Sequence, residues 1–250
     1  MGVNTKYSAV IFDLFDTIVD FHYSKLPLVT VNGTGVHTTG RAVYEVFSAQ
    51  YNGVDFERFY DVFKTSFEEF EELKRSDQRE YPNMERFVLL LKNLGIDPGR
   101  DSAELAGRMS SAHMNTLRLG MEMGYQSRGV LDALHGKYRL GLISNFDHSP
   151  TIRSLIGDLN LTKYFEAVII SAETGWRKPR REIFNKCLDQ MDIEAAEAVF
   201  VGDNYEADIV GAKSAGMDAI WIRKKGATQD ADTTLPDHVI TSLPEILEVL

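Results

Sequence analysis

The sequence predicts an α/β fold, a Rossmann-like parallel sheet with helices on both faces, interrupted after its first strand by a mainly helical insert. Three observations predict it. The apolar run Ala9, Val10, Ile11, Phe12 ends abruptly in Asp13, and a short β-branched run without alternation suits a strand buried on both faces, as in a parallel sheet. From about Gly124 onward strand-like and helix-like segments alternate, which is the rhythm of βα crossovers. Between these two regions, from Arg41 to about Gly120, apolar residues recur at helix spacing. The expected organisation is therefore a core from residues 1–20 and 122–250 with an insert at 21–121.

Taken in order, the first strand is followed by Leu26 to Thr39, where Val29, Val31 and Val36 flank Asn32-Gly33 and predict a β-hairpin with a tight turn. Helices are expected over 41–51, 55–75, 83–94 and 102–119, with Asp55 and Ser102 as N-caps and Gly95 as a C-cap. The acidic stretch Phe67 to Glu72 is expected to be a solvated helix face with Phe67 and Phe70 turned inward. Beyond it the pattern predicts helices at 129–135, 151–159, 181–189 and 207–215. Strands are expected at 138–144, 167–171, 198–202, 218–222 and around Val239, and a last helix from Leu243.

Composition excludes several function classes. Lys and Arg total 27 against 37 Asp and Glu, a formal charge of −10, and no basic stretch offers a footprint for nucleic acid. No run approaches the roughly 18 to 20 apolar residues of a membrane span. A lone cysteine, Cys187, allows no internal disulfide and is expected to be buried. A cytoplasmic location is the expectation.

Four loops that follow predicted strands carry polar groups the fold does not itself require: Asp13, Ser144-Asn145, Lys178-Pro179, and Gly202-Asp203 with Asp208. Singly, each has an ordinary reading. Asp13 and Asp203 suit turns or N-caps, Ser144 a cap, Lys178 a surface charge. Jointly they fall where open α/β sheets bind ligands. Three converging carboxylates repel one another unless a cation or proton neutralises them. An all-oxygen donor set favours Mg²⁺, whereas the six histidines are scattered and give zinc little support. A lysine and a hydroxyl could then hold phosphate oxygens while Asp13 attacks phosphorus.

The motifs DLFDT at 13–17, SN at 144–145, KP at 178–179 and GDNYEAD at 202–208 resemble the four motifs of the haloacid dehalogenase-like (HAD) hydrolase superfamily. The insert is similar to that family's C1 cap, with the hairpin extending its flap. The resemblance implies Asp13 as covalent nucleophile and metal ligand, and the Phe15 backbone carbonyl, Asp203 and Asp208 as further contacts to Mg²⁺. It implies Ser144 and the Asn145 backbone, with Leu14 and Phe15 of the nucleophile loop, as the phosphate site. Lys178 would bridge phosphate and Asp13, and Thr17 would brace the loop. The implied partner is a small phosphorylated metabolite, selected by cap residues such as His22, Tyr23, Arg41 and the segment Asn32 to His37, in a monomer or homodimer.

One position departs from the family's phosphatases. They usually carry a second Asp two residues after the nucleophile as general acid and base, and here that residue is Phe15. Asp16, one place further on, substitutes only if the turn is altered. General acid–base help is worth about 10² to 10⁴ in rate. The expected activity is a Mg²⁺-dependent phosphatase. The alternatives are a 2-haloacid dehalogenase-like hydrolase, in which Asp13 attacks carbon, and a catalytically weak phospho-ligand-binding protein.

Overall fold

A computed structural model describes residues 6–96, 99–224 and 235–250. The chain forms two compact units, one from residues up to Asp20 together with Glu122–Leu250, the other from Phe21–Met121. It passes between them through the strands Val19–Phe21 and Met121–Met123, which pair as a two-stranded sheet.

The first unit is built on a six-stranded sheet. Its order is His238–Ile240, Asp218–Ile222, Ala198–Gly202, Ala9–Phe12, Arg139–Ser144, Ala167–Ile170, with every pair parallel. All four residues of Ala9–Phe12 are fully buried, which is why this strand lacks polar alternation. Phe12 pairs with Leu142 on one side and Val201 on the other. Parallel strands in this register release their next residues at one edge, so Asp13, Ser144 and the Gly202-Asp203 loop emerge together. The helix Arg181–Met191 buries Ile183, Phe184, Cys187, Leu188 and Met191 in the same core as Ile11 and Phe200, with the Phe184 and Phe200 rings 5.2 Å apart. Burial pushes the Cys187 thiol up to about 12, so it serves as a small apolar core residue.

The segment expected as one helix over 207–215 differs. It starts earlier, as a wide π turn over Tyr205–Val210, and continues as a short α-helix, Gly211–Ser214. Asn204 starts it, its side chain accepting from the Ala207 N–H at 2.9 Å. Its own N–H donates to Asp208 Oδ2 at 2.9 Å. The competing side-chain bonds of Asn and Asp account for the early, widened turn.

The second unit holds the helices Gly40–Ser48, Phe56–Asp77, Asn83–Asn93 and Arg100–Leu117. They enclose an aromatic-rich core that includes Phe47, Phe59, Phe63, Phe87, Leu90, Leu91, Leu105 and Met109. Asp55 caps the second helix, accepting from the Arg58 N–H at 2.9 Å. Ser102 does not begin the fourth. That helix is capped at Gly99, and Ser102 sits three residues in, its hydroxyl accepting from the Gly99 N–H at 2.6 Å. Phe70 is buried, as expected, but Phe67 is 40% exposed. The buried line of this helix runs through Phe59, Phe63, Ser66, Phe70 and Lys74, so Ser66 holds the inward position next to it and the Arg86 guanidinium lies 4.3 Å over the Phe67 ring. The hairpin pairs Leu28–Val31 with Thr34–His37. Asn32 (φ 48°) and Gly33 (φ 78°) both take the left-handed region, as the tight turn of a two-residue hairpin loop requires. Among the described residues no helix is long and apolar enough to cross a membrane.

Candidate active site

At the edge where the strands end, Asp13 follows Phe12 directly, its backbone N–H donating to the Val201 carbonyl at 2.9 Å. Lys178 comes from the loop ahead of helix Arg181–Met191. Its ammonium lies 2.5 Å from Asp13 Oδ1 and 2.7 Å from Asp208 Oδ1, and it donates to the Ile143 carbonyl at 3.1 Å. The lysine's backbone is clamped by Asn145, whose Oδ1 accepts from the Lys178 N–H at 2.8 Å while Nδ2 donates to the Lys178 carbonyl at 3.0 Å. Asp203 stands beside these groups, its carbonyl accepting from Trp221 Nε1 at 3.0 Å. Gly202 is required by close approach. A Cβ there would lie 2.3 Å from Asp208 Oδ2.

Asp13, Asp203 and Asp208 can each offer one oxygen so that all three lie within 4.8 Å of one another. Burial first of all, with Asp208 and Asp203 adding repulsion against the attraction of Lys178, raises the Asp13 carboxyl to about 7. Burial followed by the Asp208 charge raises Asp203 to about 6. Burial disfavours the charged Lys178, but Asp13 and Asp208 outweigh it and hold the ammonium above its ordinary range. Lys178 contacts Asp13 and Asp208, and Lys224 lies 3.8 Å from Asp203 while paired with Asp16, so carboxylates still outnumber ammonium groups, and an all-oxygen cluster of this size suits a hard divalent cation. Next to it the Ser144 hydroxyl is buried with no hydrogen-bond partner among the described residues, a donor free for an incoming oxygen.

Asp13, its buried partner Lys178 and the acidic group Asp13, Asp203 and Asp208 thus gather at the carboxyl edge of the parallel sheet. Residues 7–216 match the haloacid dehalogenase-like hydrolase family. The chain belongs to this family, and it is a hydrolase. To the N-acylneuraminate-9-phosphatase of Rattus norvegicus this HAD-like hydrolase is 29% identical over 153 residues, 61% of each chain. It thus spans about three fifths of the length of that relative. To the glyceraldehyde 3-phosphate phosphatase of Pyrococcus furiosus it is 30% identical over 191 residues, 75% of this chain and 77% of the other. Among solved structures, a 2-haloacid dehalogenase from Pseudomonas syringae pv. Tomato DC3000 shares the fold with a TM-score of 0.70 at 24% identity, over 97% of each chain.

The remaining expected positions of this HAD-like hydrolase fall as follows. Leu14 is fully buried, so only its backbone can face a ligand. Its carbonyl accepts from the N–H groups of Ile18 and Val19 at 2.9 and 2.8 Å. Those bonds, with the Asp16 N–H donating to the Val19 carbonyl at 2.6 Å, brace the loop that follows Asp13. The Thr17 hydroxyl, expected to do this, has no hydrogen-bond partner among the described residues. The bracing is a backbone property. Phe15 rests its ring on Phe146, centroids 5.4 Å apart. Asp16 has a left-handed backbone (φ 62°) and pairs with Lys224 at 3.0 Å, so its carboxylate is engaged with a cation other than Lys178. In the second unit the Arg41 guanidinium lies 3.5 Å over the Phe56 ring, and His37 Nδ1 is 2.7 Å from the Leu26 carbonyl oxygen. Tyr23 is 70% exposed. Sequence reasoning missed Lys224, Trp221 and the side chain of Asn145. Asn145 follows Ser144 in a recognised motif, but a side chain that clamps a backbone 33 residues away leaves no local signal.

Proposed function

We propose that this hydrolase is a Mg²⁺-dependent phosphomonoesterase acting on a small phosphorylated metabolite, with Asp13 as covalent nucleophile. The observation that carries the reading is the Asp13 carboxylate held 2.5 Å from the Lys178 ammonium while sharing a cation-sized cluster with Asp203 and Asp208. An acidic cradle of this kind has a use in attack on an anionic phosphate and none in attack on a neutral carbon. The relatives named N-acylneuraminate-9-phosphatase and glyceraldehyde 3-phosphate phosphatase support the same class of substrate.

Asp13, Asp203 and Asp208 would hold the ion, with the Phe15 carbonyl as a further contact. Bound there, Mg²⁺ supplies positive charge against the carboxylates and the phosphate oxygens. Lys178 and the Ser144 hydroxyl orient the phosphate, together with backbone groups of Leu14, Phe15 and Asn145. An Asp13 oxygen then bonds to phosphorus as the ester P–O bond breaks, and the electron pair leaves with the alcohol oxygen, which takes a proton from solvent water. A second water attacks phosphorus in the acyl phosphate, and the bond from phosphorus to the Asp13 oxygen breaks with its electron pair returning to the carboxylate. The proton this water loses neutralises the hydroxide left by the first step, releasing inorganic phosphate and restoring Asp13.

Phe15 is the observation that favours a second reading. With no carboxyl at that position to protonate a leaving alkoxide, expulsion of halide from carbon, which needs no proton, is the competing chemistry. Phosphate release from sugar phosphates, nucleotides, phosphoglycolate and an aryl phosphate, with and without Mg²⁺ and beside Asp13→Ala, tests the proposal. A signal lost on removing either Mg²⁺ or Asp13 is expected. Silence across the panel from folded protein, with halide released from 2-haloacids, would replace it with the second reading.

A further inference from the structure

Asp16 belongs to the nucleophile motif, yet the hydrolytic scheme above gives it no task. Its backbone lies in the left-handed region, a conformation in which Asp is tolerated but most side chains are not. This aims its carboxylate at Lys224, 3.0 Å away, and the same ammonium is 3.8 Å from Asp203 Oδ2. Lys224 follows the strand Asp218–Ile222 by two residues. That strand neighbours Ala198–Gly202 in the sheet, from which Asp203 emerges, so the contact between Lys224 and Asp203 is a product of the sheet order. Lys178 contacts Asp13 and Asp208, whereas among the described residues Lys224 is the ammonium paired with Asp203.

We propose that Asp16 and Lys224 form a tethered counter-cation for Asp203 that sets the affinity of the carboxylate cluster for its divalent ion. The inference rests on the reading that Asp13, Asp203 and Asp208 bind Mg²⁺. With the cluster empty, Lys224 offsets the charge of Asp203. With Mg²⁺ present, it is a like charge beside the ion and weakens binding. Asp16 moderates this by holding the ammonium at the outer side of Asp203. The Lys224 and Asp16 side chains are 45% and 48% exposed, so salt should screen the effect. Asp16 and Lys224 thereby act through Asp203 as positioning residues, without touching the reacting atoms.

The test is calorimetric titration of the whole protein with Mg²⁺, in the wild type, Lys224→Met, Asp16→Asn and the double variant. Lys224→Met is expected to tighten Mg²⁺ binding by about 3- to 10-fold at low ionic strength, and the gain should shrink as salt rises toward about 0.5 M. Asp16→Asn is expected to weaken binding in the presence of Lys224 and to have a smaller effect without it, so the two substitutions are coupled in the double-mutant cycle. Wild-type protein that binds Mg²⁺ with a Kd indifferent to Lys224→Met, or with strictly additive effects of the two substitutions, would overturn the inference and leave the phosphatase reading intact. Wild-type protein that fails to bind Mg²⁺ would overturn both.

Discussion

Lys178 and Asp13 are 165 residues apart in sequence and 2.5 Å apart in space, both deeply buried. A buried ion pair of this kind contributes less to stability than its Coulomb energy implies, but removing one partner strands the other. Lys178→Met leaves Asp13 and Asp208 facing each other without their cation. The expected cost is about 3–5 kcal/mol of unfolding free energy in metal-free protein, part of which Mg²⁺ should restore. Denaturant unfolding with EDTA and with Mg²⁺ measures both quantities, and phosphate release should fall by about 10³-fold or more.

Ser144 should separate binding from folding. Its hydroxyl is buried without a hydrogen-bond partner among the described residues, so Ser144→Ala removes a polar group whose burial is uncompensated. The variant is expected to be as stable as the wild type or slightly more so. A hydrogen bond to a charged phosphate is worth about 1.5–3 kcal/mol, so KM for a phosphorylated substrate should rise by about 10- to 100-fold. Thermal unfolding and steady-state kinetics on the same preparation check the two halves independently.

Acidity and metal should be linked through the carboxylates. Burial raises Asp13 from 3.8 to about 7 and Asp203 from 3.8 to about 6. Between these values the folded state holds protons that the unfolded chain has released, so stability falls as pH rises from about 4 toward 7. The stabilising contribution is complete below the unfolded pKa and lost through the folded one. Mg²⁺ bound at the cluster would displace those protons, hence its stabilisation should be larger at pH 8 than at pH 5. Melting temperatures in EDTA and in Mg²⁺ across that range provide the test. An equal Mg²⁺ increment at every pH would count against the cluster as the binding site.

The parts of the molecule that were legible in sequence are those whose signal is local. Ala9 to Phe12 is apolar because both its faces are covered, and Asn32-Gly33 marks a turn because both residues need positive φ. Asp13 and Asp203 could be singled out because each directly follows a strand, and parallel register converts that position into proximity, whereas Lys178 and Asp208 reach the same point from the loop ahead of helix Arg181–Met191 and from the turn Tyr205–Val210. Phe67 departs from the inward position its spacing suggests because helical drift over Phe56–Asp77 moves the buried line by one residue, from Phe67 to Ser66. Ser102 is the inner member of its capping pair although its sequence suits the outer one, since a hydroxyl three residues inside a helix makes the same kind of bond as one at its start. Lys224 carried no motif. Its contact with Asp203 depends on which strands are neighbours in the sheet, a property of topology rather than of local pattern.

Under the proposed phosphatase reading, Phe15 bears on how the leaving group would be protonated. Its ring lies against Phe146, and the neighbouring Asp16 is paired with Lys224, so neither supplies a proton in the way a carboxyl at position 15 would. The enzyme should therefore favour substrates whose leaving oxygen needs little help, such as an aryl phosphate over an alkyl phosphate. Phe15→Asp restores a carboxyl two residues after the nucleophile, at a stability cost of about 0.5–1.5 kcal/mol for the lost ring pair. General acid help of about 10² or more should then appear in kcat for alkyl phosphates and be nearly absent for aryl phosphates. The ratio of the two kcat values, compared between wild type and variant, is the measurement. An unchanged ratio would mean that the wild-type enzyme already draws its proton from a group other than residue 15.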